Sequence, residues 1–271
     1  MNTTKVGAGP LSLAAVAALA LGTIALAPSA DAATGPSAYR SHAPSASVAN
    51  GTLTILGSRH DDHVTLALSA DSSHLLVDLG DGSGVRSIDR ATFTNVAAFL
   101  GAGDDTFTAT GVPIPMTVHG GSGDDTITGG AADDELFGGR GNDAILGGDG
   151  NDVIFGGRGD DVVDGQRGTD TEFLGRGDDR AAWFPGEGND NVDGGSGVDT
   201  LAFDGSNGNE KFAVSASGPH AVLTRDLGNI RMDTADVEVL DLAALGGTDV
   251  VKVGDLSGTA LRETDVDLGG T

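Results

Sequence analysis

The chain is 271 residues long, carries a net charge of −25, and contains 45 glycines, nine Phe, one Trp, one Tyr and no cysteine. Such acidity argues against nucleic acid and anionic membrane surfaces as partners. Without cysteine no disulfide can staple a thin core, and so few aromatic residues argue against a conventional globular one, which leaves a bound metal as the natural substitute.

The first element in chain order is a leader with secretory features. Lys5 gives a short positive start, Leu11 to Ala27 is apolar and uncharged, Pro28-Ser29 breaks the run, and Ala30-Asp31-Ala32 supplies a small-x-small cleavage site. The pattern predicts a signal peptide over 1–32, cut near Ala32, and a secreted, extracellular protein. The apolar run is short for a membrane span, and no later segment is apolar enough to insert. No twin arginine precedes it, which favours the general secretory route.

Residues 33–50 are rich in Ala, Ser and Pro and lack periodicity, so they read as a flexible leader. From Gly51 apolar residues alternate: Leu53 and Ile55, then Val64, Leu66 and Leu68, then Leu75, Val77 and Leu79. Short β-strands separated by Gly, Asp and Ser turns are predicted, and no segment keeps a helical period. A β-rich unit over 51–119 precedes a central block over 120–202, and a second β-rich unit follows over 203–271. The two flanks resemble each other. Gly57-Ser58 opens a stretch that reaches Gly101-Ala102-Gly103-Asp104-Asp105, and Gly205-Ser206 opens one that reaches Gly246-Gly247-Thr248-Asp249. Capping units of this kind cover the open ends of a solenoid. The chain stops at Asp267-Leu268-Gly269-Gly270-Thr271, where another glycine turn would begin, so truncation of the last unit is one expectation.

The central block repeats one nine-residue line, G-G-x-G-x-D-x-U-x with U a large aliphatic residue; Gly120 to Thr128 and Gly147 to Phe155 are clean examples. The aspartates at position six are Asp125, Asp134, Asp143, Asp152, Asp161, Asp170 and Asp179, then Asp190 and Asp199 after a two-residue insertion at Trp183-Phe184. Glycines at positions one, two and four are expected to take φ > 0 and turn the chain sharply, with carbonyls pointing inward. A carboxylate returning in each such turn builds an oxygen cage for a hard cation, and calcium, with its six to eight oxygen ligands, is the expected ion. The x-U-x tripeptide forms a very short strand with one side chain inside. One buried aliphatic per nine residues does not offset the entropy of ordering a glycine-rich line, and stacked carboxylates repel, so folding is expected to need the metal.

This line resembles the nonapeptide of the RTX, or haemolysin-type calcium-binding, repeat family, and the whole chain resembles the small secreted bacterial calcium-binding proteins of that class. The resemblance is strong over 100–202 and weaker in the flanks. It implies an all-β fold, a right-handed parallel β-roll in which two lines make one turn and each line stacks on the next but one. It implies that Asp125, Asp143, Asp161 and Asp179 line one edge and Asp134, Asp152 and Asp170 the other. Calcium would sit between stacked turns, with Gly121, Gly123, Gly139, Gly141, Gly148, Gly150, Gly157 and Gly159 in the site loops, giving about five ions. Three departures stand out: Ala131-Ala132 replaces x-Gly before Asp134, Gln166 replaces a glycine before Asp170, and Glu172 stands in an aliphatic slot. The roll is expected to loosen or turn a corner at Glu172.

Other motifs carry less. His60-Asp61-Asp62-His63 suggests a transition-metal site, but Gly208-Asn209-Glu210-Lys211 in the matching flank does not, so a solvated loop is the preferred reading. Arg158-Gly159-Asp160 and Arg176-Gly177-Asp178 spell an integrin tripeptide but fall out of the repeat when x is arginine. His-Glu-x-x-His and Gly-x-Ser-x-Gly are absent, and the Asp pairs that would suggest a glycosidase recur at the repeat period. The functional expectation is a non-enzymatic calcium-binding structural or interaction module, with extracellular matrix or a cell-surface glycan as candidate partner. The alternative is a carbohydrate-active enzyme, of polyuronide lyase or epimerase type, on a β-helix face. Nothing in the sequence sets the oligomeric state.

Overall fold

The computed structural model describes residues 43–269, so the expected signal peptide and most of the leader lie outside the described residues. The chain folds as a parallel β-solenoid of about nine turns with two long sheets and almost no helix. One sheet carries β2 (Thr52–Leu56), β6 (Asn95–Ala102), β8 (Met116–Ser122), β10 (Glu135–Arg140), β12 (Val153–Arg158), β14 (Thr171–Arg176), β16 (Asn191–Ser196) and β20 (Ile230–Ala235). The facing sheet carries β3 (His63–Leu68), β7 (Thr106–Thr108), β9 (Thr126–Thr128), β11 (Ala144–Asp149), β13 (Val162–Arg167), β15 (Arg180–Trp183), β17 (Thr200–Asp204), β21 (Val239–Ala243) and β23 (Glu263–Asp267). Successive nine-residue lines therefore alternate between sheets, and each pairs in parallel with the line two further on.

The x-U-x strands explain the thin core. A strand turns alternate side chains to opposite faces, so three residues contribute one inward side chain. The first sheet contributes the column Ala98, Val118, Leu136, Ile154, Glu172 and Val192. The second contributes Val64, Phe107, Ile127, Ile145, Val163, Ala181 and Leu201. All of them are buried. Glu172 holds its place in this register, so the expected corner is absent: the strand pairing runs unbroken from Ile154 through Glu172 to Val192. A second column faces outward from the first sheet, where Phe99, His119, Phe137, Phe155 and Phe173 stack ring on ring at centroid spacings of 4.5 to 5.0 Å.

The flanks are built into the same two sheets: β8 itself straddles residue 120. Each flank adds an antiparallel excursion. In the first, β3 leads into β4 (His74–Asp78) and β5 (Arg86–Asp89); in the last, β18 (Lys211–Ser217) and β19 (His220–Arg225) lead into β20. The core widens there, around Leu75, Val77 and Phe93 at one end and Trp183, Phe203 and Phe212 at the other. Trp183, at the end of β15, is buried, stacks on Phe203 at 4.1 Å and donates its indole N–H to the Gly188 carbonyl. The expected leader ends in structure, since Ser45–Ala49 forms β1, antiparallel to β2. Among the described residues no helix is long and apolar enough to cross a membrane.

Candidate metal centre

Each nonapeptide turns at its glycines. Gly121, Gly123, Gly139, Gly141, Gly148, Gly150, Gly157 and Gly159 all have φ between 118° and 135°. At Gly139 and Gly141 a Cβ would also drive into the carbonyl oxygens of Gly121 and Gly123 one coil earlier, so both conformation and room demand glycine. The glycines at position one differ from expectation, because Gly120, Gly138, Gly147 and Gly156 are not in the left-handed region. They are glycine for space: a side chain there would collide with the Oδ2 of the aspartate five residues on.

That aspartate is the centre of each turn. The N–H of Asp125 donates to Asp143 Oδ1, that of Asp143 to Asp161 Oδ1, and that of Asp161 to Asp179 Oδ1, at 2.7 to 2.8 Å. On the other edge the N–H groups of Asp134 and Asp152 donate to Asp152 and Asp170. The two rows expected at the two edges are therefore formed, each carboxylate reaching back one coil of 18 residues. The first row runs further than expected: Asp62 donates to Asp105, Asp105 to Asp125, Asp179 to Asp199, and Asp199 to Glu238. The second ends on Asp190, whose Oδ1 accepts from Asp170. Asp105, Asp190 and Asp199 carry the G-x-G-x-D signature and could have been placed in the rows from it. No such signature precedes Asp62 or Glu238.

The second oxygen of these carboxylates is the distinctive feature. Oδ2 is buried without a hydrogen-bond partner in Asp105, Asp125, Asp143, Asp152, Asp161, Asp170, Asp179 and Asp199. Burial raises the carboxyl pKa of the position-six aspartates, to about 7 for Asp125 and Asp161 and about 8 for Asp143 and Asp170. The largest charge effects on these four come from other acids. A buried carboxylate with an orphaned oxygen, set among other acids, fits a cation from solution. The donors are all oxygen, as calcium prefers. Among the described residues no three acidic or imidazole side chains converge on one point. The carboxylates enter one per turn, so a cation between turns would take the rest of its shell from backbone carbonyls.

The departures behave individually. Before Asp134, neither Gly130 nor Ala132 is left-handed, and Asp134 accepts backbone N–H groups on both oxygens, from Met116 and Gly130. It offers no orphaned oxygen. Gln166 takes the left-handed conformation at φ 65°, with its N–H held by Asp164. Position five is not idle either. Asn142 donates its N–H to Asp124 Oδ1, Asp160 to Asn142 and Asp178 to Asp160, an exposed ladder that runs opposite to that of position six. The His60–His63 stretch supplies the start of both ladders, through Asp61 and Asp62. Arg158 and Arg176 of the two integrin-like tripeptides pair in register on the first sheet, and Asp160 is spent on its neighbour's N–H.

Four stretches, residues 117–145, 138–172, 146–181 and 186–201, match the family model of the RTX calcium-binding nonapeptide repeat. No curated protein matches the chain. The central block is thus made of RTX calcium-binding repeats, a calcium-binding structural module in a β-solenoid, of a family that is generally non-enzymatic.

Proposed function

We propose that the chain is a secreted, non-enzymatic protein whose repeats bind several calcium ions, about five, between stacked turns and fold upon binding them. The observation that carries this reading is the row of buried Oδ2 atoms left without a partner at position six. In this reading Asp125, Asp143, Asp161 and Asp179 serve one edge and Asp152 and Asp170 the other. Asp134, already saturated, has a lesser part. When bound, calcium supplies the positive charge that the edges lack. The chain's own residues position it: the aspartate Oδ1 stitches one coil to the next, Oδ2 faces the ion, and glycine leaves the space.

The leader features over 1–32 support export, and calcium outside the cell would then trigger folding there. The calcium-loaded solenoid would act as a rigid structural or interaction module toward extracellular matrix or a cell-surface glycan. Calorimetric calcium titration of the mature chain tests the core of this reading. Several ions should bind cooperatively, and magnesium, which demands a tighter octahedron, should not replace them at similar concentration. Absence of calcium binding would overturn it.

A further inference from the structure

Position eight of each line sends an aliphatic side chain into the solenoid, and Glu172 breaks that rule. It is flanked in register by Ile154 and Val192, and only 2 % of its surface is exposed. Its Oε1 accepts the N–H of Gly165 at 2.9 Å, and its Oε2 has no partner. Asp170, fully buried in the same turn, also has an orphaned oxygen: Oδ2 lies where it would meet a Cβ on Gly165 at 2.5 Å. The two acids thus approach Gly165 together, Asp170 from the edge and Glu172 from the interior. The charges acting on Glu172 come from Asp190, Asp170 and Asp164, all buried acids. In the neighbouring lines an isoleucine or valine lies behind the aspartate: Ile154 behind Asp152, Val163 behind Asp161.

Protonation does not resolve this arrangement. A neutral Glu172 could donate at most to Asp170 Oδ2, which would leave Asp170 ionised and buried without an opposite charge. A cation satisfies both orphaned oxygens together. Because ligand charge sets the affinity of oxygen sites, a turn with two carboxylates holds its ion more firmly than one with a single carboxylate.

We propose that Glu172 is a cation ligand, and that with Asp170 it gives the turn over 165–170 a two-carboxylate site that fills before the single-carboxylate turns along either edge. The inference rests on the calcium reading above for the class of ion. It makes the C-terminal part of the second edge the place where metal loading starts.

The single Trp provides the probe. Trp183 bonds the carbonyl of Gly188, two residues before Asp190, whose carboxylate serves Asp170. Terbium, an oxygen-seeking trivalent ion, emits when an excited indole lies close by, so indole-sensitised emission reports the sites nearest Trp183. The mature chain is titrated with terbium, with calorimetry counting all sites in parallel. Sensitised emission should saturate before the calorimetric binding is complete. Glu172→Gln should move its midpoint to about tenfold higher terbium, a loss of about 1.4 kcal/mol. Glu172→Leu restores the aliphatic pattern of the other lines; it should keep the calcium-loaded β signal in circular dichroism and lose the early phase. If both variants bind terbium in the calorimeter and their sensitised midpoints match the parent's, the role of Glu172 is overturned while the calcium reading stands. If the parent binds neither ion, it is the calcium reading that fails.

Discussion

Asp143 and Glu210 are both buried carboxylates at turns of the same solenoid, and they are neutralised in different ways. Glu210 has its charge met from within the chain. Its Oε1 receives the Arg225 guanidinium at 2.7 Å, its Oε2 the N–H of Ser206, and Arg225 lies over the Trp183 ring. Asp143 uses one oxygen to hold Asp125 and leaves the other without a partner, with Asp161, Asp125 and Asp124 raising its pKa further. The flank carries its own counter-ion, while in the function proposed above the roll borrows one. Metal dependence is therefore expected of the central coils, where neighbouring acids raise the pKa of the buried aspartates further.

The comparison breaks most visibly when calcium is removed. In chelator, circular dichroism should lose much of its β signal, and hydrogen exchange should rise most across 106–201. The antiparallel excursions β3–β5 and β18–β20, with their wider cores, should stay more protected. Equal β content with and without calcium would contradict the borrowed-charge picture.

Acid should partly replace the metal. The roll carboxyls have folded pKa values raised to about 6 to 8, against an ordinary 3.8. Such groups hold their protons more tightly folded than unfolded. Their stabilising contribution is complete below about 3.8 and is lost as pH rises through 6 to 8. The metal-free protein should show more β structure near pH 5 than near pH 8, and its calcium affinity should fall with acid. A metal-free protein more ordered at the higher pH would contradict this.

Arg225→Ala removes one partner of a buried pair and should cost about 3–5 kcal/mol, read from the urea midpoint of Trp183 fluorescence in saturating calcium. The number of ions bound should not change, which separates the flank from the roll. Asp143→Ala should act on the other side of the comparison. It strands the buried N–H of Asp125, at a cost of about 1–3 kcal/mol, and should lower both calcium affinity and cooperativity in calorimetry. Asp124→Asn should do least, within about 0.5 kcal/mol. Asn142 already fills the same place and accepts the N–H of Asp160 in its own turn. Calcium isotherms weakened as much by Asp124→Asn as by Asp143→Ala would overturn the choice of position six over position five.

Periodicity made the roll legible. The two inward columns, Val118 to Ile154 and Ile127 to Val163, and the two rows of aspartates follow from a nine-residue period, because pairing of alternate lines turns sequence spacing into spatial stacking. Asp62 and Glu238 were hidden for the same reason inverted. Antiparallel excursions stretch their coils to 43 and 39 residues, so no fixed spacing points to them. The position-one glycines have a steric reason that appears only once Oδ2 of the following aspartate is placed beside them. Glu172 reads as a break in the sequence because its polarity carries no information about register. The neighbouring coils hold the strand in place whatever its eighth side chain is.

The coil length has a consequence for inheritance. One turn is 18 residues, two lines that belong to opposite sheets. A copying error that adds or drops a single line would send every downstream strand to the wrong sheet, break the Phe137–Phe155 stack, and set the aspartates of one edge against the other. An error of two lines would leave every pairing intact and change only the length of the rod. Lineages descending from such a gene should therefore differ in even numbers of repeats.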